Sequence, residues 1–298
     1  MSFSSDIKNE LATVACESLC CEVAQLYGMA EFGRAFSGKA VSLQTESEAA
    51  ARRYTALLSS VCGVTANHTA PAEDKQGMHN VIVRQEDCEK VIRRFGHEGR
   101  EVTRRLNRAV LDCESCTAAY LRGVFLACGA VTNPQVDYHM EFSVPYYNLS
   151  GDLAVLLAEM GLHPRIVRRK GNYVVYFKES EQIEDCLTLM GAVSASLELM
   201  NVKMIKSIRN NVNRAANCET ANIDKTVAAA LKQTEAVNKI ESTIGLEALP
   251  EGLRELCRLR LDNPDLSLRA LGECFEPPLS RAGVNHRFQK ILEIAENL

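Results

Sequence analysis

The stretch AYLRGVFLACG, residues 119–129, lies near the middle of the 298-residue chain. It is apolar, contains no proline, and has small residues at Gly123, Ala127 and Gly129. This composition predicts a helix, and small residues four positions apart let a second helix backbone approach closely. The alternative is an ordinary buried core helix. A matching second helix elsewhere in the chain would favour the interpretation in which two helices pack closely through their small residues.

Such a match lies near the N-terminus, in QLYGMAEFG, residues 25–33. Two pairs of glycines share one spacing, since 123 − 28 and 191 − 96 both equal 95, and a third landmark pair gives 172 − 80 = 92. The landmark pairs are Gly28 and Gly123, Gly96 and Gly191, and Asn80 and Asn172. A fixed period with the same order of elements indicates an internal duplication. We therefore predict two αβαββα repeats, residues 1–96 and 97–201, related by a pseudo-two-fold axis and meeting through their glycine helices.

Hydrophobic periodicity and turn residues predict the individual elements. The first half has a helix capped by Ser4 or Ser5, helices over 21–36, 46–61 and 86–95, and strands over 40–44, 64–68 and 79–84. A polar turn is predicted over 71–77 and a charged connection, with helix as one option, over 96–107. The second half has helices over 119–129, 148–160 and 180–190, and strands over 138–144, 164–169 and 172–177.

Composition and charge limit the classes of function that this chain can have. The formal net charge of −4 gives no general affinity for nucleic acid, so a basic binding surface would have to be local. No window has the roughly 18 apolar residues of a membrane span, and the charged N-terminus is not a signal peptide. We expect a cytoplasmic, nucleoid-associated protein with no membrane contact.

The twelve cysteines are scattered, and only the pair Cys113-x-x-Cys116 has metal or redox spacing. A structural zinc site usually needs four ligands, and no second pair or neighbouring histidines follow in sequence. Reduced thiols, many of them buried as small hydrophobic groups, are therefore favoured over a zinc or redox site. We expect no cofactor and no bound metal.

The last fifty residues predict three helices, over 250–261, 268–275 and 281–298, with a tight turn before the last one. This is the order of a helix-turn-helix, whose final helix reads bases with its N-terminal half. Arginine, asparagine and histidine in that half suit base edges and phosphates; a plain three-helix bundle with a polar end is the alternative. The candidate DNA-binding residues, within about 266–298, are Ser267, Arg269, Ser280, Arg281, Asn285, His286, Arg287 and Lys290.

At this point the residues resemble a known family. YLRGVFLACG, residues 120–129, resembles the helix of LAGLIDADG homing endonucleases. SLRALGECFEPPLSRAGVNHRFQKI, residues 267–291, resembles the C-terminal helix-turn-helix of the WhiA family, as do MSFSSDIKNELA at the start and NVNRAANCETANIDKTVAAA, residues 211–230. The resemblance covers essentially the whole chain.

The resemblance implies a bacterial transcription factor linked to sporulation, cell division and chromosome segregation. Its fold class is α+β: two LAGLIDADG-like repeats, a helical linker over 202–245, and an all-α helix-turn-helix domain over 246–298. In the linker a basic run over 202–217 precedes polar, asparagine-rich sequence and a helical run over 224–243.

The resemblance also identifies where the catalytic acids of an active enzyme would stand, one from each repeat, holding the divalent metal. Those positions are Gly33 and Cys128, and the earlier acid positions are Glu31 and Leu126. A glycine and a neutral thiol do not replace hard oxygen ligands for Mg²⁺. We expect no catalytic residues and no cleavage; a metal-dependent endonuclease with unusual ligands is the alternative.

Basic residues outside the helix-turn-helix are candidates for contact with the DNA backbone. They are Arg165, Arg168, Arg169, Lys170, Lys203, Lys206, Arg209 and Arg214. In the first half Arg84 is nearly alone, with Arg52 and Arg53 on a helix, so the sheets are lopsided in charge. These residues contact DNA or form solvated faces, and the sheet surface then either touches DNA or binds protein. The expected partners are double-stranded DNA and other regulatory or cell-division proteins, with the chain a monomer or a weak oligomer.

Overall fold

A computed structural model describes residues 2–71, 77–98 and 103–298. The chain forms two compact units, residues 1–206 and 207–298. Most of the polar turn over 71–77 and part of the connection over 96–107 lie outside the described residues. None of the helices in the described ranges has the length and apolar character that a membrane crossing needs.

The first unit holds two halves that share one order of elements, and the first half has an additional helix at its start. The first half comprises helices α1 (Phe3–Thr13), α2 (Leu19–Glu31), α3 (Glu48–Cys62) and α4 (Gln85–Arg94), and strands β1 (Ala35–Ser37), β2 (Ala40–Thr45), β3 (Ala66–Thr69) and β4 (His79–Val83). The second half comprises helices α5 (Glu114–Cys128), α6 (Tyr147–Glu159) and α7 (Ser180–Met190), and strands β5 (Gly129–Val131), β6 (Met140–Val144), β7 (Arg165–Arg169) and β8 (Asn172–Phe177).

The two antiparallel sheets have equivalent strand orders, β1-β2-β4-β3 and β5-β6-β8-β7. The duplicated α+β fold is therefore confirmed. Each half nevertheless carries one strand more than predicted, because β1 and β5 are three-residue edge strands that only their pairing with β2 and β6 defines. A three-residue segment shows too few alternations to be recognised in sequence.

Several predicted boundaries were wrong for local reasons. The first helix is capped by Ser2, whose hydroxyl accepts from the Ser5 backbone N–H at 3.2 Å, rather than by Ser4 or Ser5. The second helix ends at Glu31 rather than at residue 36, because the chain turns at Gly33 to enter β1. Asn80 and Asn172 are not equivalent: Asn80 pairs with Gln44 inside its sheet, whereas Asn172 pairs with Arg169 at a hairpin end.

Helices α2 and α5 form the centre of the unit, and their glycines set their separation. A methyl group on Gly123 would lie 2.1 Å from the Gln25 carbonyl oxygen, and one on Gly28 would lie 2.4 Å from the Tyr120 carbonyl oxygen. Both distances are far inside van der Waals contact, so only glycine permits this approach. Gly28 and Gly123, which are 95 residues apart in sequence, thus occupy equivalent positions where the two helices cross.

Helix α8 (Val193–Thr243) is uninterrupted and runs through most of the segment 202–245, including its asparagine-rich middle. Its 51 residues contain neither glycine nor proline, and those are the residues that stop helices most strongly. Its first turns belong to the core of the first unit through Ala195 and Leu199, and its last turns to the core of the second unit through Val237 and Ile240.

The second unit continues with helices α9 (Glu251–Asp262), α10 (Leu268–Glu273) and α11 (Arg281–Glu296). Ser267 caps α10 and Ser280 caps α11, each hydroxyl accepting from a backbone N–H three residues later. A Cβ on Gly272 would lie 2.3 Å from the Leu279 carbonyl oxygen, so glycine is required where the turn folds back on α10. Leu271, Val284, Phe288 and Ile291 form the small core between these helices.

Candidate nucleic-acid interface

The two former acid positions lie where α2 and α5 end. Gly33 is in the turn after α2, and a Cβ there would come within 2.7 Å of the Ser42 carbonyl oxygen, so an acid side chain does not fit without a backbone shift. Cys128 is the last residue of α5, and burial raises the pKa of its thiol to about 12. At neutral pH this thiol carries a proton and has little affinity for a hard cation.

Glu31 remains as the one acid of the two motifs, and it is part of the interior, with 1% of its surface exposed. Its two carboxyl oxygens accept from the hydroxyl groups of Tyr27 and Tyr120, both at 2.9 Å. Burial raises the pKa of Glu31 to about 8, although the two hydroxyl donors act in the opposite direction. The side chain therefore joins α2 to α5 and is not presented to a bound metal.

The exposed face of the second sheet is basic along its edge strand. Antiparallel partners point to the same face, and the pairs Arg165–Tyr176 and Arg169–Asn172 place both arginines on the face away from the core residues Phe142 and Val175. Arg168 is also exposed, but it pairs with Tyr173 and lies over its ring at 5.8 Å, on the face that carries Phe142 and Val175. Lys170, with φ 47°, is exposed at the hairpin turn.

The strand residues on the corresponding face of the first sheet are uncharged, and the exposed Arg34 reaches this face by donating to Gln44 Oε1. The strand residues of this face are Ser42, Gln44, Asn67, Asn80 and Ile82. The three arginines named for this half lie elsewhere: Arg84 precedes α4, Arg52 pairs with Glu48 on α3, and Arg53 donates to Gln25 Oε1 at 2.8 Å in the interior. The strands of the second sheet therefore carry more positive charge on this face than the strands of the first sheet.

The basic run at the start of α8 is divided between two environments. Lys203 pairs with Glu181 at 3.1 Å, and Lys206 donates to the Pro134 carbonyl oxygen at 2.7 Å, so both hold α8 to the first unit. Arg209 and Arg214 are exposed. Only the second pair presents its charge freely along the helix, and contact of any of the four with DNA stays a prediction.

The second unit contains a cleft of about 470 Å³ between α8, the start of α10 and the start of α11. The structure brings Ser267, Arg269, Arg281 and Asn285 together at this cleft. Its wall from α8 includes Lys225, an exposed residue that the sequence reasoning did not select. Four basic side chains line the cleft and no acidic one does, although Arg260 is buried beneath it and Arg269 pairs with Glu273 at 3.3 Å. Lys225 and Arg281 are exposed, so the cleft favours a phosphate or a base edge.

The remaining sequence-selected residues of α11 differ in their surroundings. His286 and Lys290 are exposed, as DNA contact requires. Arg287 is half-buried: it donates to the Gly252 carbonyl oxygen at 3.2 Å and lies over the Phe275 ring at 5.2 Å. Ser267 and Ser280 use their hydroxyls as helix caps, so they position the helices as well as bordering the surface.

Arg260 lies beneath this cleft and connects the segments that form it. Sequence reasoning did not identify it as a functional residue. It is 1% exposed, donates to Gln233 Oε1 at 2.8 Å and to the Leu266 carbonyl oxygen at 2.7 Å, and lies over the Phe288 ring. Burial lowers the pKa of its guanidinium. Arg260 therefore holds α8, the loop before α10 and α11 in one arrangement. The run LCRLRLD in sequence indicated only an amphipathic helix.

Models of known protein families match residues in both units. A family model described as the WhiA LAGLIDADG-like domain matches residues 117–209, and one described as the WhiA C-terminal HTH domain matches residues 212–295. The chain is 37% identical to a protein of Alkaliphilus metalliredigens over 99% of this chain and 98% of that one. It is 38% identical to a protein of Clostridium perfringens over 100% and 98%. Both relatives are named probable cell division protein WhiA.

Solved structures show the same fold. Full-length WhiA from Thermotoga maritima superposes with a TM-score of 0.60 at 23% identity, covering 100% of this chain and 99% of that one. The N-terminal LAGLIDADG domain of WhiA superposes with a TM-score of 0.50 at 18% identity, covering 64% and 90%. The relatives found by sequence match nearly the whole of this chain, and the solved structures share its two-domain fold. The chain is a member of the WhiA family and carries its LAGLIDADG-like and helix-turn-helix DNA-binding domains.

Proposed function

We propose that this protein is a sequence-specific, double-stranded DNA-binding regulator without nuclease activity. The observation that carries the proposal is the exposed N-terminal half of α11. There Arg281 and Asn285 border a cleft with Lys225 and Arg269 and with no acidic side chain. In this division of labour, Asn285 and His286 read base edges, while the surrounding cations hold the phosphates.

The proposal of no cleavage rests on three side chains. Gly33 has no ligand atom and no room for one, and Cys128 is a protonated thiol. Glu31 uses both oxygens on tyrosine hydroxyls inside the helix pair. A phosphodiester nuclease of this kind needs oxygen ligands that hold Mg²⁺ beside the substrate, and this pair of positions supplies none.

The cellular role follows from the family. Relatives at 37–38% identity are named for cell division, and we assign this chain to the control of cell division, chromosome segregation and sporulation genes. Such a protein works at the nucleoid in the cytoplasm. The strand residues on the exposed face of the first sheet are uncharged, and Arg34 at its edge is bonded to Gln44, so a regulatory protein partner is the candidate for that face.

The experiment is genome-wide mapping of bound DNA, comparing the wild type with the Arg281→Ala/Asn285→Ala double variant. The proposal expects a discrete set of sites that the double variant loses while it remains folded. Retention of the same sites in the double variant would show that another surface selects DNA.

Nuclease activity is tested separately with supercoiled plasmid and Mg²⁺ or Mn²⁺. The proposal expects intact plasmid at every metal concentration. Metal-dependent cutting that Glu31→Gln abolishes would establish the endonuclease alternative.

A further inference from the structure

Four cysteine thiols meet where α2 and α5 begin, outside the surfaces described above. Cys20 and Cys21 lie in the first turn of α2, Cys113 is the N-terminal cap of α5, and Cys116 is in its first turn. Their sulfur atoms all lie within 4.8 Å of one another. The set therefore has the number and proximity of ligands that the Cys113-x-x-Cys116 pair lacked in sequence.

The internal duplication explains why these residues meet. Cys21 and Cys116 are 95 residues apart (116 − 21), the same spacing as Gly28 and Gly123. They are equivalent positions on two helices that cross at their glycines, so the pseudo-two-fold axis brings both helix starts together. Cys20, next to Cys21, and Cys113, three residues before Cys116, then complete the group, one from each half.

The three sulfur separations measured from Cys113 fit one small tetrahedral metal ion. Cys113 Sγ lies 3.5 Å from Cys20 Sγ, 3.6 Å from Cys21 Sγ and 3.4 Å from Cys116 Sγ. A zinc–sulfur bond of about 2.3 Å gives a tetrahedral edge of about 3.8 Å. A disulfide needs about 2.05 Å, and thiolates of an iron–sulfur cluster bind different iron atoms and would stand farther apart.

The position of the thiols at helix N-termini favours thiolate ligands, whereas burial raises the pKa of Cys21 and Cys116, so their protons have to be displaced by the metal ion. Neither α2 nor α5 has a side-chain hydrogen bond capping its first turn, so the thiols stand at two helix N-termini whose dipoles stabilise negative charge. Cys21 and Cys116 are buried, which shields the site, and Cys113 is exposed, which gives an ion access. A structural zinc site has this closed, four-thiolate character.

We infer that Cys20, Cys21, Cys113 and Cys116 form a structural zinc site that ties the two halves of the LAGLIDADG-like domain together. Binding releases the thiol protons to solvent and involves no change of oxidation state. Because the ligands come from positions 20–21 and 113–116, the ion cross-links segments more than ninety residues apart. It thereby reinforces the α2–α5 contact at the end away from Gly33 and Cys128.

The test measures metal content in the untagged full-length protein, expressed with zinc and iron both present and purified under thiol-reducing conditions. We expect one zinc ion per chain in the wild type and in Cys274→Ser, whose thiol is exposed and outside the cluster. Cys113→Ser should lose the zinc. It should remain folded, because Cys113 is a helix N-cap and serine is a preferred residue there.

Two further measurements use the same samples. Cobalt added to the metal-free wild type should give the visible absorption of tetrahedral thiolate coordination, and Cys113→Ser should not. Removing zinc from the wild type should lower the Tm followed by tyrosine fluorescence by about 5 °C or more, and zinc should restore it; the Tm of Cys113→Ser should not respond to zinc.

Four results would overturn the assignment. They are a metal-free wild type that takes up no added zinc, equal zinc in the wild type and Cys113→Ser, stoichiometric iron in place of zinc, and a disulfide among these cysteines in the purified protein.

Discussion

The Gly123→Ala substitution tests the helix pair at the centre of the first unit. The new methyl group would lie 2.1 Å from the Gln25 carbonyl oxygen, whereas ordinary contact begins at 3.4 Å, so it must gain about 1.3 Å. The obstacle is backbone in a packed helix and has no other rotamer to adopt. Overpacking of this kind costs about 1–3 kcal/mol or more.

The loss of glycine offsets part of that cost. Alanine is better than glycine inside a helix by about 0.5–1 kcal/mol, so we expect Gly123→Ala to lower the free energy of unfolding by about 2 kcal/mol. The matched control is Gly151→Ala in α6, where nothing lies within 4 Å of the added methyl group. The control should raise the free energy of unfolding by about 0.5–1 kcal/mol.

Urea unfolding followed by tyrosine fluorescence is the assay. The chain has no tryptophan, and all eight tyrosines lie within residues 1–206, so the signal reports the first unit alone. Equal stabilisation by Gly123→Ala and Gly151→Ala would refute the close approach of α2 and α5.

Two further predictions concern buried ionisable groups. The pKa of Glu31 is raised from 4.5 to about 8, so between those pH values the folded state keeps a proton that the unfolded state has lost. The free energy of unfolding therefore falls as pH rises, by up to about 5 kcal/mol at about 1.4 kcal/mol per pH unit. Glu31→Gln should flatten that slope in the tyrosine assay, and an unchanged slope would contradict the burial of the acid. Arg260→Met should destabilise the second unit by about 2–4 kcal/mol, because Gln233 and the Leu266 carbonyl lose a buried donor. Amide exchange in α9–α11 measures this, with the exposed Arg269→Met as the control that should change it by under about 0.5 kcal/mol; equal effects would remove Arg260 from its organising role.

The large features of the fold could be predicted because single residues mark them. Gly28 and Gly123 are required by close backbone contact, and that contact is what the spacing of 95 records. Ser267 and Ser280 mark helix starts by a local hydrogen bond to the N–H three residues on. Such signals depend on neighbouring residues or on a repeat, and both are visible in sequence.

The missed features depend on partners distant in sequence. The edge strands β1 and β5 exist through pairing, and the direction of Arg168 follows from its register opposite Tyr173. The half-buried position of Arg287 depends on Phe275 and Gly252, which belong to other segments of the domain. Helical periodicity placed Arg287 on α11 but gave no information on what stands opposite it.

The cysteine cluster is an intermediate case. Counting spacings along the chain left Cys113 and Cys116 as two ligands short of a site. Applying the repeat spacing to Cys116 leads to Cys21, whose sulfur lies 3.6 Å from that of Cys113. The duplication therefore contained the information, but only once it was applied to residues other than the glycines.

The central claim is that α11 of a nuclease-like protein selects the DNA sequence. The most direct test is the ratio of affinities for a mapped target duplex and a scrambled duplex, measured at one salt concentration. Asn285→Ala should reduce that ratio by about 5- to 150-fold, the equivalent of about 1–3 kcal/mol for one base-edge contact. Asn297→Ala, the same substitution at the exposed far end of α11, should leave it unchanged. A ratio that Asn285→Ala leaves at the wild-type value would contradict the account.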